Sequence, residues 1–141
     1  MKHANWVVVV MLVALSGLAT AQRIGSTRIV TQVPFEFVVA NKIVPAGECV
    51  VQAFTQDGGT LMISNAAAKV GLVSSASIAE GKLGASHYAL VFTRYGDQYF
   101  LSGIKLQGSK ISYRLPRSKA EAELVAQKES GKEETLLASR R

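Results

Sequence analysis

Residues 87–106 read His-Tyr-Ala-Leu-Val-Phe-Thr-Arg-Tyr-Gly-Asp-Gln-Tyr-Phe-Leu-Ser-Gly-Ile-Lys-Leu, and they set the fold class. The first half is apolar, aromatic and β-branched. Successive side chains of an extended strand point to opposite faces, so Tyr88, Leu90 and Phe92 share one face and His87, Ala89, Val91 and Thr93 the other. Gly96-Asp97 after Tyr95 is a hairpin turn, because glycine supplies the positive φ that such turns require. Residues 98–106 are the antiparallel return, and strict alternation assigns Phe100, Ile104 and Leu106 to one side.

The same grammar extends in both directions. Residues 29–33 are a first strand, and after Pro34 residues 35–40 place Phe35, Phe37 and Val39 on one face. Asn41-Lys42 reads as a tight turn and Pro45-Ala46-Gly47 as a second one, with Ile43-Val44 between them. Residues 48–54 and 60–64 form a hairpin about Asp57-Gly58-Gly59, and residues 69–78 are a weaker strand pair or one long bent strand. Ile111, Tyr113 and Leu115 alternate with Ser112 and Arg114 in the last expected strand. After Pro116, Ser118-Lys119-Ala120-Glu121 matches a capping box that opens a short helix over about 118–128. Residues 129–141 contain Gly131 and many charges and read as a flexible tail. The expectation is therefore an all-β antiparallel sandwich or small barrel, mostly meander, with a short C-terminal helix and one domain over 22–128.

The N-terminus carries a different signal. Met1-Lys2-His3 is basic, VVVVMLVAL over residues 7–15 is apolar, and Ala19-Thr20-Ala21 is the small-x-small pattern that signal peptidase reads. The run is shorter than the roughly 20 apolar residues of a membrane span. Residues 1–21 are thus an export signal and Gln22 the first mature residue, which places the protein in the periplasm or outside the cell. No stable membrane span remains after cleavage. The formal net charge of +6 fits solubility or a weak attraction to anionic envelope polymers. An exported protein gives nucleic acid little role as a partner.

Catalytic signals are absent from the sequence. His87 is the sole histidine outside the leader and Cys49 the sole cysteine, so no cluster has zinc-ligand spacing and no intramolecular disulfide can form. Cys49, in a strand-like run beside Glu48, reads as a small buried apolar residue rather than a reactive thiol. No serine lies in a Gly-x-Ser-x-Gly elbow, and Asp57 and Asp97 both occupy turns. Glu36 and Glu48 flank one turn region as a carboxylate pair, with solvent-facing partners of Lys42 as the plainer reading. Neither Gly58-Gly59 nor Gly81-Lys82-Leu83-Gly84 has the ending of a phosphate loop. No catalytic, metal or cofactor residue is assigned.

The densest aromatic and cationic group is Arg94, Tyr95, Tyr99 and Arg114, with Phe100 and Tyr113 beside them. These four are the candidate surface for an envelope protein or a glycan, since aromatics supply rigid contact area and Arg supplies directed donors. The structural alternative is cross-strand packing of the same side chains.

Val-Pro-Phe-Glu-Phe over residues 33–37, Pro-Ala-Gly over 45–47 and Arg-Tyr-Gly-Asp-Gln-Tyr-Phe-Leu over 94–101, followed by a Ser-Lys-Ala-Glu helix start, form a combined pattern. It resembles that of small exported bacterial proteins of acidobacterial type, over nearly all of the mature chain. Cys49 departs from that group, which often has an aromatic residue near this position. The resemblance implies export and a compact β domain. It implies no activity, because none is established for the group. The leading functional expectation is an exported, non-catalytic envelope or extracellular protein acting by binding or structure. The alternatives are a carrier for a small apolar ligand inside a barrel and, more weakly, a hydrolase that uses His87.

Overall fold

A computed structural model describes residues 28–53 and 59–140. The export signal expected at 1–21 and most of the turn expected at Asp57-Gly58-Gly59 lie outside the described residues. Among the described residues eleven strands and one helix follow in order: β1 (Arg28–Val33), β2 (Phe37–Val39), β3 (Lys42–Val44), β4 (Gly47–Ala53), β5 (Thr60–Asn65), β6 (Val70–Ser75), β7 (Ser77–Glu80), β8 (Tyr88–Tyr95), β9 (Gln98–Lys105), β10 (Ile111–Arg114), α1 (Lys119–Ala126) and β11 (Lys132–Arg140). The described residues are all-β with one short helix near the C-terminus, as the alternation of apolar residues implies.

The strands run in the order β3-β2-β9-β8-β11-β1-β4-β5-β6, and β10 joins β9 to β7. Because β6 and β7 are consecutive parts of residues 70–80, the sheet returns on itself as a nearly closed barrel. The sequence reading of one long bent strand describes this segment well. Hairpin neighbours account for β4-β5-β6 and β8-β9-β10, but β2 lies parallel to β9 and β1 lies between β4 and β11.

Two turns have the geometry their residues dictate. Phe37 pairs with Val44 and Val39 with Lys42, so the loop between β2 and β3 is Ala40-Asn41, one residue earlier than expected. Both residues have positive φ, 49° and 61°, as a type I′ turn requires. Between β8 and β9, Tyr95 pairs with Gln98, and Gly96 alone takes positive φ (60°), which suits a type II′ turn.

The strand return from Gln98 departs from simple alternation. Val91 pairs with Gly103, yet Phe92 pairs with Leu101, so Ser102 is an extra residue in β9. Its hydroxyl donates to Val91 O at 3.0 Å, and its carbonyl accepts from Leu115 N at 3.0 Å, so the bulge leaves these groups partnered. A bulge exchanges the two faces of a strand. Leu101 and Ile104 therefore both enter the barrel core, whereas Phe100 lies on the outer face, edge-to-face with Tyr95 at 5.7 Å. The expectation that Phe100 and Ile104 share a face is corrected for this reason.

The flexible tail is also corrected. Residues 132–140 are β11, paired with β8 from Lys132↔Arg94 to Ala138↔Tyr88 and with β1 at Ile29↔Arg140 and Val30↔Ser139. Leu136 and Ala138 pack on the core, while the neighbouring Leu137 is 66% exposed. The charges of β11 sit at its two ends, Lys132, Glu133 and Glu134 at its start and Arg140 at its close, where they do not oppose strand formation.

Phe37, Phe92, Leu61, Ile63, Leu90, Ile104, Val33 and Val44 are each under 2% exposed and occupy the barrel interior. Phe92 receives both Phe35 (5.0 Å, 86°) and Phe37 (5.1 Å, 74°) edge-to-face. Cys49 is buried among them, and burial pushes its thiol pKa up to about 12, which makes it a packing residue and a poor nucleophile. Buried Asn65 fastens the Pro45-Ala46-Gly47 turn: its Nδ2 donates to Pro45 O at 3.1 Å, and its Oδ1 accepts from Ala68 N at 3.2 Å.

Candidate functional site

Alternation divides the four residues singled out in the sequence. Arg94 and Tyr99 are directly opposed across β8 and β9 and stay together. The Arg94 guanidinium lies 5.6 Å from the Tyr99 ring centroid; its Nη1 reaches Glu134 Oε1 at 3.2 Å, and its Nε donates to Gly96 O at 2.6 Å. Tyr95, one residue along, points to the opposite face. There its hydroxyl donates to Glu121 Oε1 at 3.2 Å and only 7% of it is exposed, so it acts as packing for α1. Arg114 is exposed on β10 and borders the same helix-side groove as Tyr95. The four residues thus form two separate pairs. The split was readable from their spacing, since residues 94 and 95 of one strand cannot share a face.

The described surface includes three grooves. The largest of these three, about 780 Å³, runs between the outer face of β8, β9 and β10 and α1. Its polar lining carries both signs of charge, with Lys105, Arg114 and Arg117 against Glu121, Glu129 and Glu133. Ser118 caps the helix by accepting from Glu121 N at 3.2 Å, as the capping box predicts. The Glu121 carboxyl does not complete the box but turns to Tyr95. Burial raises its pKa above the ordinary carboxylate value, against smaller opposing effects of the Tyr95 hydrogen bond and Arg117. The smallest groove, about 330 Å³, is the seam where β1 and β11 splay apart beyond Val30, bridged by Thr31 Oγ1 donating to Leu137 O at 2.9 Å. Glu48 borders this seam and Glu36 borders a different groove, so the carboxylate pair considered in the sequence does not share a cleft.

The remaining groove, about 600 Å³, is the candidate site. It lies between the Ala40-Asn41 turn, the Gly96-Asp97 turn and the first turn of α1. Phe35, Val38, Ile43 and Tyr99 give it apolar walls, with Phe37 buried behind them. Phe35 and Tyr99 stack at 3.7 Å with an interplanar angle of 12°, and the edge contact of Phe35 with Phe92 seats this pair on the core. Glu36, Asn41, Asp97, Gln98 and Lys119 supply polar groups from separate parts of the chain. Asn41 Oδ1 accepts from Lys119 N at 2.8 Å, which ties the β2–β3 turn to the start of α1. Of the four residues singled out in the sequence, only Tyr99 borders this groove. The others that line it were missed because each looks like an ordinary turn, strand or cap residue until the parallel pairing of β2 with β9 brings them together.

His87 is exposed just before β8. Among the described residues, no group of three His, Cys, Asp or Glu side chains is placed to hold a metal ion, and no helix is long and apolar enough to cross a membrane. No protein-family model matches the chain, and neither curated proteins nor solved structures give a match.

Proposed function

We propose that this is an exported, non-catalytic protein of the envelope or extracellular space that acts by binding, with the groove between the two hairpin turns and α1 as its binding surface. One observation carries the reading: an aromatic pair seated on the core meets polar side chains from the residue before β2, two hairpin turns, the start of β9 and a helix. Convergent polar groups around an apolar floor are the general form of a ligand site. The described lining contains no Ser, Thr, Cys or His, so it offers no seat for an acyl-transfer nucleophile and its base. The apolar-carrier alternative is less supported, because large side chains occupy the barrel interior. Export rests on the leader at 1–21 and on the resemblance to small exported bacterial proteins.

Affinity capture from an envelope extract, scored for both proteins and glycans, tests the binding reading. A saturable partner lost on Asp97→Ala and retained on Arg114→Ala supports it. Capture indifferent to Asp97, or turnover of the captured molecule, refutes it. Mass spectrometry of the exported protein tests the leader: Gln22 or its pyroglutamate at the N-terminus is expected, and a retained Met1 opposes cleavage.

A further inference from the structure

We infer that this groove takes a neutral saccharide, an inference that rests on the groove being the binding surface. A volume of about 600 Å³ lies within the range of small-ligand sites. The lining combines the two chemistries that a hydroxylated ring presents. The half-buried Phe35 and Tyr99 rings, stacked on each other and with the Arg94 guanidinium over Tyr99, offer their edges as apolar surface to the C–H groups of a sugar ring. The amides of Asn41 and Gln98, the carboxylates of Glu36 and Asp97 and the ammonium of Lys119 suit hydroxyls, which donate and accept at the same atom.

Other ligand classes fit less well. A wholly apolar molecule would strip water from these five polar groups and return no hydrogen bonds. An anion would meet two carboxylates for one ammonium. A cation would find one Tyr99 neighbour already cationic, since the Arg94 guanidinium lies 5.6 Å from that ring, and Lys119 on the facing wall. An uncharged polyol meets none of these penalties. The site is also preformed. Both of its turns are two-residue loops closed by strand pairs, and Phe35 is held between Phe92 and Tyr99, so little ordering is left to the ligand.

The test is amide NMR of the protein titrated with neutral hexasaccharides of β-1,4-glucose, β-1,4-N-acetylglucosamine and α-1,4-glucose, with phenyltrimethylammonium as a cationic probe. The expected result is saturable shifts at residues 36–43, 97–99 and 119–120 with at least one saccharide. Asp97→Asn, at an exposed turn, should weaken that binding by about tenfold, the loss of one charge-assisted hydrogen bond. Stronger shifts from the cationic probe overturn the saccharide class. If no saccharide acts but a protein from an envelope extract shifts the same amides, the saccharide inference falls and the groove reading stands. If neither acts, both fall.

Discussion

Leu136 and Leu137 are adjacent, chemically identical and placed on opposite faces of β11, which makes them a sharp test of this strand. Leu136 pairs with Leu90 of β8 and packs on the core, whereas Leu137 is 66% exposed. Truncating a fully buried leucine to alanine costs roughly 2–5 kcal/mol. Half-burial reduces the removed apolar contact in proportion, so Leu136→Ala should cost about 1–2 kcal/mol. For a domain of this size that is a fall in Tm of about 4–8 °C. Leu137→Ala should lie within about 0.5 kcal/mol of the parent. Deleting residues 132–141 removes seven residue pairings with β8 and two with β1 and uncovers the edge of β8 above Phe92. That loss is comparable with the whole stability of a small domain, about 5–15 kcal/mol, so cooperative unfolding should disappear. Circular dichroism melts and urea titrations read all three variants. Equal effects of the two leucine substitutions, or a deletion variant that melts like the parent, would refute the placement of this segment as a strand.

Four further outcomes follow from the packing. Cys49 should resist a thiol reagent in the native protein and react fully in denaturant, since it is 1% exposed and its pKa is pushed up to about 12; rapid native labelling would contradict its burial. The Glu121 carboxyl has a folded-state pKa above its unfolded value, so its charged form weakens the fold at neutral pH and the penalty fades as pH falls through the folded value toward the unfolded one. Glu121→Gln should therefore raise stability at pH 7 and flatten the acid side of the pH profile. Tyr95→Phe, which removes the donor to this buried carboxylate, should cost about 1–2 kcal/mol in urea titration at neutral pH, and a neutral result would show that the hydrogen bond contributes nothing. Gly131→Ala should destabilise by roughly 1–3 kcal/mol, because a Cβ there would stand 2.7 Å from Thr93 Cγ2 and 2.9 Å from Tyr95 Cε1; an unchanged melting temperature would mean that this corner is looser than its contacts imply.

The β8–β9 hairpin, the β2–β3 turn to within one residue and the Ser118 cap were legible in the sequence because each is decided by neighbours in the chain, whereas the bulge at Ser102 was not. Alternation marks a strand, glycine or asparagine accepts positive φ, and a serine hydroxyl reaches an amide three residues on. Even the separation of Arg94 from Tyr95 followed from alternation. The candidate groove was not legible in this way. Asn41, Asp97 and Lys119 are an ordinary turn residue, an ordinary turn residue and an ordinary first helical residue, and nothing local distinguishes them.

The amino-acid order by itself determined the leader pattern, the all-β class and the absence of recognisable catalytic motifs, since these depend on composition, periodicity and short spacing. Only the tertiary structure decided which strands pair, that Ser102 exchanges the faces of β9, that residues 132–140 complete the sheet and that two hairpin turns meet at the start of α1. The physical reason is range. Dihedral preference and alternation act between residues a few positions apart. The pairing of β2 with β9, and of β11 with β8 and β1, is selected by the burial of a shared core and by backbone hydrogen bonds between segments distant in the chain.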